Sequence, residues 1–256
     1  HGERWASKIK TVLKKQNLLE RPLHIISANM HSVMNSLFAP YALKDLYKQE
    51  TRFQTFEDLS DSTNQYLRDK VFAFAEKHGM SFIQDESGTN IDVQVFDMAK
   101  LPNADELFKN LKAEGIPVIF VMDYAFGEQA YETMDELLKP FNNGKKTHKM
   151  NVHSVSIMGK AGILEGGKGD IMIPTAHVNE GTADNYPFKN EVTAKDFENY
   201  AVDTYTGSMI SVLGTSLQNK DVLSFFQNST WNIIGLEMEG AHYQKAIQAA
   251  SQIRQS

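Results

Sequence analysis

The chain has 256 residues, of which 41% are hydrophobic and 23% are charged. This composition is that of a folded protein with a sizeable core, and it excludes a disordered or collagen-like chain. The formal net charge of −6 is opposite in sign to that of proteins that coat nucleic acid, so no nucleic acid polymer is expected as a partner. The sequence has no cysteine, which excludes disulfides and thiolate chemistry and fits a cytoplasmic protein.

The first 20 residues are polar and rich in lysine, so no signal peptide is predicted. Trp5, Ile9, Val12 and Leu13 recur at helical spacing, which predicts an amphipathic helix in an N-terminal extension of about residues 1–20. Packing of this helix on the domain is favoured, and attachment to a membrane surface is the alternative. A membrane-spanning helix needs about 20 apolar residues, and none is present, so we expect no membrane partner.

Short runs rich in isoleucine and valine alternate along the chain with amphipathic helical segments. Strands are predicted at 23–28, 91–97, 118–122, 152–158, 171–174, 208–213 and 233–238. Helices are predicted at 31–48, 62–78, 103–114, 128–139, 219–226 and 240–253. The alternation predicts an α/β fold, a three-layer α/β/α arrangement with a mainly parallel mixed central sheet. In such sheets ligands bind at the carboxyl ends of the strands, where functional residues are therefore expected.

A glycine-rich turn, Gly159–Gly162, follows the strand predicted at 152–158. Glycines after a strand let main-chain N–H groups approach a ligand closely, although an ordinary tight turn gives the same pattern. The sequence does not contain the G-x-x-x-x-G-K-[S/T] pattern of a P-loop. A second small-residue turn, Ala125–Ala130, contains Gly127 and follows the strand at 118–122.

Two carboxylates lie where the strand at 233–238 gives way to a helix. Glu237 and Glu239 are two positions apart, so in a strand they point to the same side and are expected to face one pocket. A carboxylate in that pocket can accept both hydrogen bonds from the vicinal diol of a ribose. The alternative is that Glu239 is simply an acidic residue favoured by the dipole at a helix N-terminus.

Together these turns resemble the purine/uridine phosphorylase and nucleosidase superfamily, especially methylthioadenosine/S-adenosylhomocysteine nucleosidase and AMP nucleosidase. Gly159–Gly162 and Gly169–Ile173 resemble its glycine-rich turn and the strand that follows. Glu237–Ala241 resembles its Glu-Met-Glu segment, and Thr206–Ser211 the strand before it. Ile25–Ala28 resembles the first strand of the family.

The resemblance implies a single nucleoside-phosphorylase-like domain over residues 1–256, which cleaves the N-glycosidic bond of a purine nucleoside or nucleotide. It implies no cofactor, phosphate as a candidate co-substrate, and a homo-oligomer. An enlarged segment at residues 40–115 has no counterpart in the family. The family also has a final strand, which carries the acid that protonates the purine, whereas this sequence stops about one helix after Glu239. Either the sequence is a fragment of a longer protein, or the site lacks this final strand and helix, or an earlier acid does that work.

By resemblance, Glu239 binds the ribose hydroxyls, Met238 packs against the sugar, and Glu237 lies in the same substrate site. Gly159, Lys160, Ala161 and Gly162 line the side of the nucleophile, and Gly127 is a further substrate-binding residue.

His31 matches the position of the family's water-activating glutamate, and an imidazole can act as a base near neutral pH. The alternative is that His31 is a residue at the start of a helix with no catalytic role. Asp123, at a strand end, is the candidate for the missing acid, with Asp184 as the alternative.

Two departures from the family bear on the reaction. Ile157 stands where phosphorylases carry an arginine, which favours hydrolysis over phosphorolysis, and Lys160 replaces a serine or threonine. No metal is expected, and the isolated His177 and His242 are expected to be structural. Three hypotheses remain: a nucleosidase, which leads, a catalytically impaired nucleoside-binding protein, and a structural protein with a closed pocket.

Overall fold

The computed structural model describes residues 1–46, 52–144, 146–182, 184–214, 219–228 and 231–254. The chain divides into two compact units, residues 1–124 with 140–159 and residues 125–139 with 160–256. Each unit contains a five-stranded mixed sheet with helices packed on it, so the predicted α/β class is confirmed. No helix within the described ranges has the length and apolar character that crossing a bilayer requires.

The α-helices of the described ranges are α1 Gly2–Lys15, α2 Met30–Ala42, α3 Arg52–Ser60, α4 Gln65–Lys77, α5 Ala104–Leu107, α6 Glu128–Leu138, α7 Lys220–Gln227 and α8 Gly240–Gln248. The strands are β1 Leu23–Ser27, β2 Met80–Ile83, β3 Val93–Asp97, β4 Val118–Met122, β5 Phe141–Asn142, β6 Thr147–His148, β7 Val152–Ile157, β8 Gly162–Ile163, β9 Ile171–Asn179, β10 Asn185–Pro187, β11 Thr204–Ser211 and β12 Ile233–Glu237. A π-helical segment, Ala249–Arg254, continues α8.

The sheet of the first unit has the strand order β2-β3-β4-β1-β7. Strands β4, β1 and β7 are parallel, and Ser27 lies opposite both Met122 and Ile157. The three strands therefore end at the same edge of the sheet. Strands β3 and β2 continue it in antiparallel pairing.

Helices cover both faces of this first sheet. Phe120 and Val121 are neighbours on β4 and so point to opposite faces. The ring of Phe120 meets Trp5 of α1 edge-on, with ring centroids 6.5 Å apart. Val121 packs in an apolar cluster that includes Phe38 of α2 and Val71 of α4. The first unit thus has three layers, and the predicted N-terminal helix packs on its sheet.

The sheet of the second unit has the strand order β10-β9-β11-β12-β8. Strands β9, β11 and β12 are parallel, and Ser211 lies opposite both Asn179 and Glu237. Their carboxyl ends therefore share one edge, while the short strands β10 and β8 pair antiparallel at the two sides.

The second sheet also lies between helices. Leu236 of β12 packs with Phe226 of α7 in an apolar cluster on one face. The next residue, Glu237, contacts the first turn of α8 through its carboxylate. Because neighbouring strand residues face opposite sides, α7 and α8 lie on opposite faces, and α6 packs against α8.

Several predicted boundaries are wrong. The helix expected at 103–114 is reduced to α5 and a short 3-10 turn, Ala113–Gly115. Ala104 and Phe108 pack on an apolar cluster, but Leu107 and Leu111 are about half exposed, so the later part of the predicted helix has no buried face to stabilise it. The strand expected at 171–174 runs on to Asn179. Its Pro174 lies opposite Gly207, where a register shift interrupts the pairing with β11.

The enlarged segment at 40–115 holds elements that the sequence pattern did not predict. The helix expected at 31–48 ends at Ala42, and residues 47 and 48 lie outside the described ranges. Helix α3 and strand β2 were not predicted at all. Strand β2 pairs with β3 at the side of the first sheet, so part of this segment extends that sheet.

Candidate functional site

The carboxyl edge of the second sheet carries the two glutamates singled out in the sequence. Glu237 is the last residue of β12 and lies opposite Ser211, the last residue of β11. Glu239 occupies the position just before α8, and its side chain makes no capping hydrogen bond to that helix. The two carboxylates therefore have different surroundings although they are only two residues apart.

The carboxylate of Glu237 is bound entirely by the protein. Its Oε1 accepts a hydrogen bond from the Ser211 hydroxyl and lies 3.2 Å from Nδ1 of His177. Its Oε2 accepts hydrogen bonds from the main-chain N–H of Glu239, at 2.6 Å, and from that of Gly240. With both oxygens occupied and the side chain only 12% exposed, Glu237 is not placed to bind a ligand.

The hydrogen bonds to Glu237 decide its charge state. Burial by itself raises the pKa of this carboxyl, but His177, the Ser211 hydroxyl and the Gly240 N–H together hold the pKa below its ordinary value. The carboxylate is therefore ionised at neutral pH. Its negative charge lies at the start of α8, where the helix dipole favours an anion.

His177 is a buried residue that closes this cluster. Its ring stacks parallel on Phe188, with centroids 5.6 Å apart, while Nδ1 faces Glu237. A Cβ added to Gly240 would overlap Nδ1 and Cε1 of His177. The glycine after the Glu-Met-Glu segment is therefore explained by the close approach of the histidine ring.

The carboxylate of Glu239 accepts hydrogen bonds from main-chain N–H groups and keeps capacity to accept more. Its Oε1 accepts a hydrogen bond of 3.2 Å from the N–H of Gly127, and the N–H of Met238 also favours its charged form. No side chain in the described part of the chain donates to this carboxylate. Burial and the nearby charge of Glu237 raise the pKa of Glu239 above its ordinary value, although the two N–H groups oppose that shift.

Gly127 takes a backbone conformation that favours glycine. Its φ of +54° and ψ of −129° place it just before α6 and direct its N–H toward Glu239. Helices α6 and α8 therefore begin next to each other on the same face of the second sheet. The hydrogen bond joins Gly127 to Glu239, while Glu237 has other partners, and the substrate-binding roles of all three residues stay predictions.

The comparisons with known proteins place the chain in a family. Residues 47–256 match a family described as "Family of unknown function (DUF6909)". The chain belongs to DUF6909. No curated protein matches it. It is similar to a solved structure, "Structure of futalosine hydrolase mutant of Helicobacter pylori strain 26695", at 11% identity and a TM-score of 0.46, over 89% of this chain and 82% of that chain.

Four further predicted residues of this DUF6909 chain, Lys160, Ala161, Gly162 and Met238, belong to the second unit. In the second unit, Lys160 is exposed and Ala161 half buried, and both precede β8. Gly162 pairs with Leu236, which is next to Glu237. Met238 lies between the two glutamates, half buried and packed against the apolar cluster of α7.

Three predicted residues belong to the first unit of the DUF6909 chain. His31 is exposed in the first turn of α2, where its N–H donates to the side chain of Asn29. Asp123 follows β4, and its Oδ1 accepts a hydrogen bond of 2.9 Å from the N–H of Tyr124. Gly159 follows β7 and lies beside the Tyr124 ring. All three lie after parallel strands that end at one edge, and their catalytic or binding roles stay predictions.

Sequence reasoning missed the part that Ser211 and His177 play around Glu237. Ser211 ends the strand next to β12, so the strand alternation contained a signal for it. His177 was expected to be structural, and its contact with Glu237 had no sequence signal because β9 was predicted to end at residue 174. Among the described residues, no group of three or more His, Asp or Glu side chains is arranged to hold a metal ion.

Proposed function

We propose that this DUF6909 protein cleaves the N-glycosidic bond of a purine nucleoside or nucleotide, with Glu239 binding the ribose. One observation carries the proposal. The Glu239 carboxylate is fixed by the N–H of Gly127, yet no side chain in the described ranges donates to it, so it keeps the capacity to accept hydrogen bonds. Two adjacent ribose hydroxyls are donors of the kind that a carboxylate can accept together.

The proposed chemistry follows from the charge of that carboxylate. When the bond between the sugar C1′ and the base nitrogen breaks, its electron pair leaves with the base, and positive charge develops on the ribose ring. In its ionised form, a half-buried carboxylate held by main-chain groups stabilises this charge without having to reorganise. Water then supplies the oxygen that bonds to C1′, and one proton passes to the departing base.

The finer parts of the proposal rest on the family resemblance. We propose that the base is a purine and that the reaction is hydrolysis and not phosphorolysis, because Ile157 replaces an arginine. We also propose that the protein needs no cofactor, forms a homo-oligomer and is cytoplasmic. His31 as the base and Asp123 as the acid belong to the same set of proposals.

The test is release of free base. The purified protein is incubated with adenosine, inosine and AMP, and the base is measured by chromatography. We expect release by the parent protein and a loss of about 10²-fold in kcat for Glu239→Gln, the size found when one group that stabilises transition-state charge is removed. Asp196→Asn is the matched control, because Asp196 also accepts a main-chain N–H, that of Thr193 at 2.7 Å, but does so in a separate 3-10 turn.

Four further outcomes decide between the alternatives. Binding of a nucleoside by calorimetry without release of base supports the nucleoside-binding hypothesis, and neither binding nor release contradicts the proposal. Free ribose as the sugar product, even in phosphate buffer, indicates hydrolysis. Ribose 1-phosphate indicates that phosphate is the co-substrate.

A further inference from the structure

The main-chain N–H groups at the start of α8 donate hydrogen bonds to side chains of the second sheet. The N–H groups of Glu239 and Gly240 donate to Oε2 of Glu237, and that of Ala241 donates to the Ser211 hydroxyl at 2.7 Å. Three successive N–H groups are thus paired by two side chains that end neighbouring strands. At many helix starts, the residue before the first turn accepts one of these N–H groups with its own side chain.

Because other side chains cap α8, the side chain of the residue before this helix does not have to cap it. Glu239 occupies that position, and its side chain makes no capping hydrogen bond. Since Glu237 and Ser211 have taken over the capping, the carboxylate of Glu239 extends to the N–H of Gly127 instead. The free acceptor capacity on which the proposed function depends is therefore a consequence of how Glu237 is bound.

We propose that Glu237 is a positioning residue, held by Ser211 and His177, that fixes the first turn of α8 so that the carboxylate of Glu239 faces a ligand. This inference rests on the proposed function, which it deepens. Glu237 itself touches no ligand, because Ser211, His177 and two main-chain N–H groups occupy its oxygens.

His177 and Gly240 give the positioning its precision. The His177 ring, stacked on Phe188, lies so close to Gly240 that no Cβ fits between them. The first turn of α8 is therefore held by hydrogen bonds on the side of Glu237 and by contact with the imidazole. A movement of this turn would carry Glu239 with it, since Glu239 is the residue next to Gly240.

The experiment compares three single variants with the parent protein and with the Asp196→Asn control. Glu237→Gln keeps the shape of the side chain and removes its charge. Ser211→Ala removes the hydroxyl that joins Glu237 to Ala241, and Ser211→Thr retains that hydroxyl. The readouts are the dissociation constant for adenosine, kcat and KM for base release, and the NMR signals of the Glu239 carboxyl and of the amides of residues 239–241, all at a temperature where each variant is folded.

The proposal expects Glu237→Gln and Ser211→Ala to lower kcat by tenfold or more with a smaller change in KM. Amide exchange at residues 239–241 should become at least tenfold faster, and the Glu239 carboxyl signal should shift. Ser211→Thr should restore most of the loss, which a general effect on stability does not explain. If both variants fold and leave kcat, binding and the Glu239 signals unchanged, the proposal is overturned.

Failure of the proposed function gives a different result. In that case the parent protein neither binds adenosine nor releases base, and the NMR signals alone decide the positioning. A shift of the Glu239 carboxyl signal in Ser211→Ala, reversed in Ser211→Thr, supports it, and unchanged signals reject it. If Glu237→Gln does not fold, the two Ser211 variants decide by the same criteria.

Discussion

The main-chain N–H of Gly127 donates a hydrogen bond of 3.2 Å to Oε1 of Glu239. The bond joins the residue before α6 to the residue before α8, and both helices belong to the second unit. It depends on a positive φ of +54° at Gly127, a conformation that residues with a Cβ rarely adopt. A glycine and a carboxylate far apart in the sequence thereby form one element of the candidate site.

Gly127→Ala tests this link. The space around Gly127 is open, with no atom within 4 Å of an added Cβ, so the expected cost is backbone strain and not a collision. We expect the free energy of unfolding to fall by about 1–3 kcal/mol, measured by urea denaturation. Adenosine binding should weaken as well, because the N–H moves away from Glu239.

The control for this substitution is Gly115→Ala. Gly115 lies in a 3-10 turn of the first unit without a positive φ, and an added Cβ there meets only Cβ of Leu111 at 4.0 Å. It should cost less than about 0.5 kcal/mol, as surface substitutions usually do. Equal losses at the two glycines would show that the conformation of Gly127 is unimportant.

The fold was predictable wherever apolar runs lie between clear turn signals. The three parallel strands β1, β4 and β7 were each predicted to within one residue, because each is a short apolar or alternating run ended by polar or glycine residues. The prediction of a helix at 103–114 was wrong because helical spacing does not reveal whether an apolar face packs against another part of the protein. The division into two sheets also depends on strand pairing, which no local pattern reports.

The candidate site was only partly predictable for a related reason. The Glu-Met-Glu segment is visible in the sequence, and so is its change from strand to helix. The different tasks of Glu237 and Glu239 are not visible, because they arise from Ser211, 26 residues earlier, and His177, 60 residues earlier. Residues two apart were expected to share a pocket, but β12 ends at Glu237, and the strand alternation does not extend to Glu239.

A second prediction concerns the contact between Gly240 and His177. Gly240→Ala should lower the free energy of unfolding by about 1–3 kcal/mol, since the new methyl group overlaps the imidazole and overpacks the site. In a His177→Ala background the same substitution should cost distinctly less, because the ring is gone. Urea denaturation of the parent, both single variants and the double variant gives the coupling energy, and additive losses would contradict this explanation.

A third prediction concerns a buried ion pair in the first unit. Arg21 donates to Asp97 at 2.8 Å and to the carbonyl oxygens of Ile116 and Pro117, and the Arg21 side chain is only 12% exposed. Arg21→Lys keeps the charge but cannot make all three bonds, so we expect a loss of about 2 kcal/mol in the free energy of unfolding.

The control for Arg21→Lys is Lys100→Gln. Lys100 pairs with the same Asp97, but at 3.7 Å and with a side chain that is 67% exposed. Its removal should cost less than about 0.5 kcal/mol in the same denaturation experiment. A larger loss for Lys100→Gln than for Arg21→Lys would contradict the assignment of Arg21 as the main partner.

The last prediction is a pH dependence carried by Asp135 of α6. Burial raises the pKa of this carboxyl, but hydrogen bonds from Arg254 and Lys139 and their charges outweigh burial and hold the pKa below its ordinary value. The unfolded chain therefore binds a proton at a higher pH than the folded chain does. The stabilisation is fully present above the unfolded pKa of about 3.9 and is lost as the pH falls through the lower pKa of the folded state.

Asp135→Asn should accordingly reduce the free energy of unfolding by about 1–3 kcal/mol at pH 7, because it leaves the guanidinium of Arg254 without its carboxylate. The difference between parent and variant should stay constant between pH 7 and about pH 5 and shrink below about pH 4. Urea denaturation at a series of pH values measures it. Glu86→Gln, which breaks an exposed pair with Lys8, is the control and should change stability by less than about 0.5 kcal/mol throughout. A difference between parent and Asp135→Asn that persists undiminished below pH 3 would show that packing, and not the charge of Asp135, accounts for its effect.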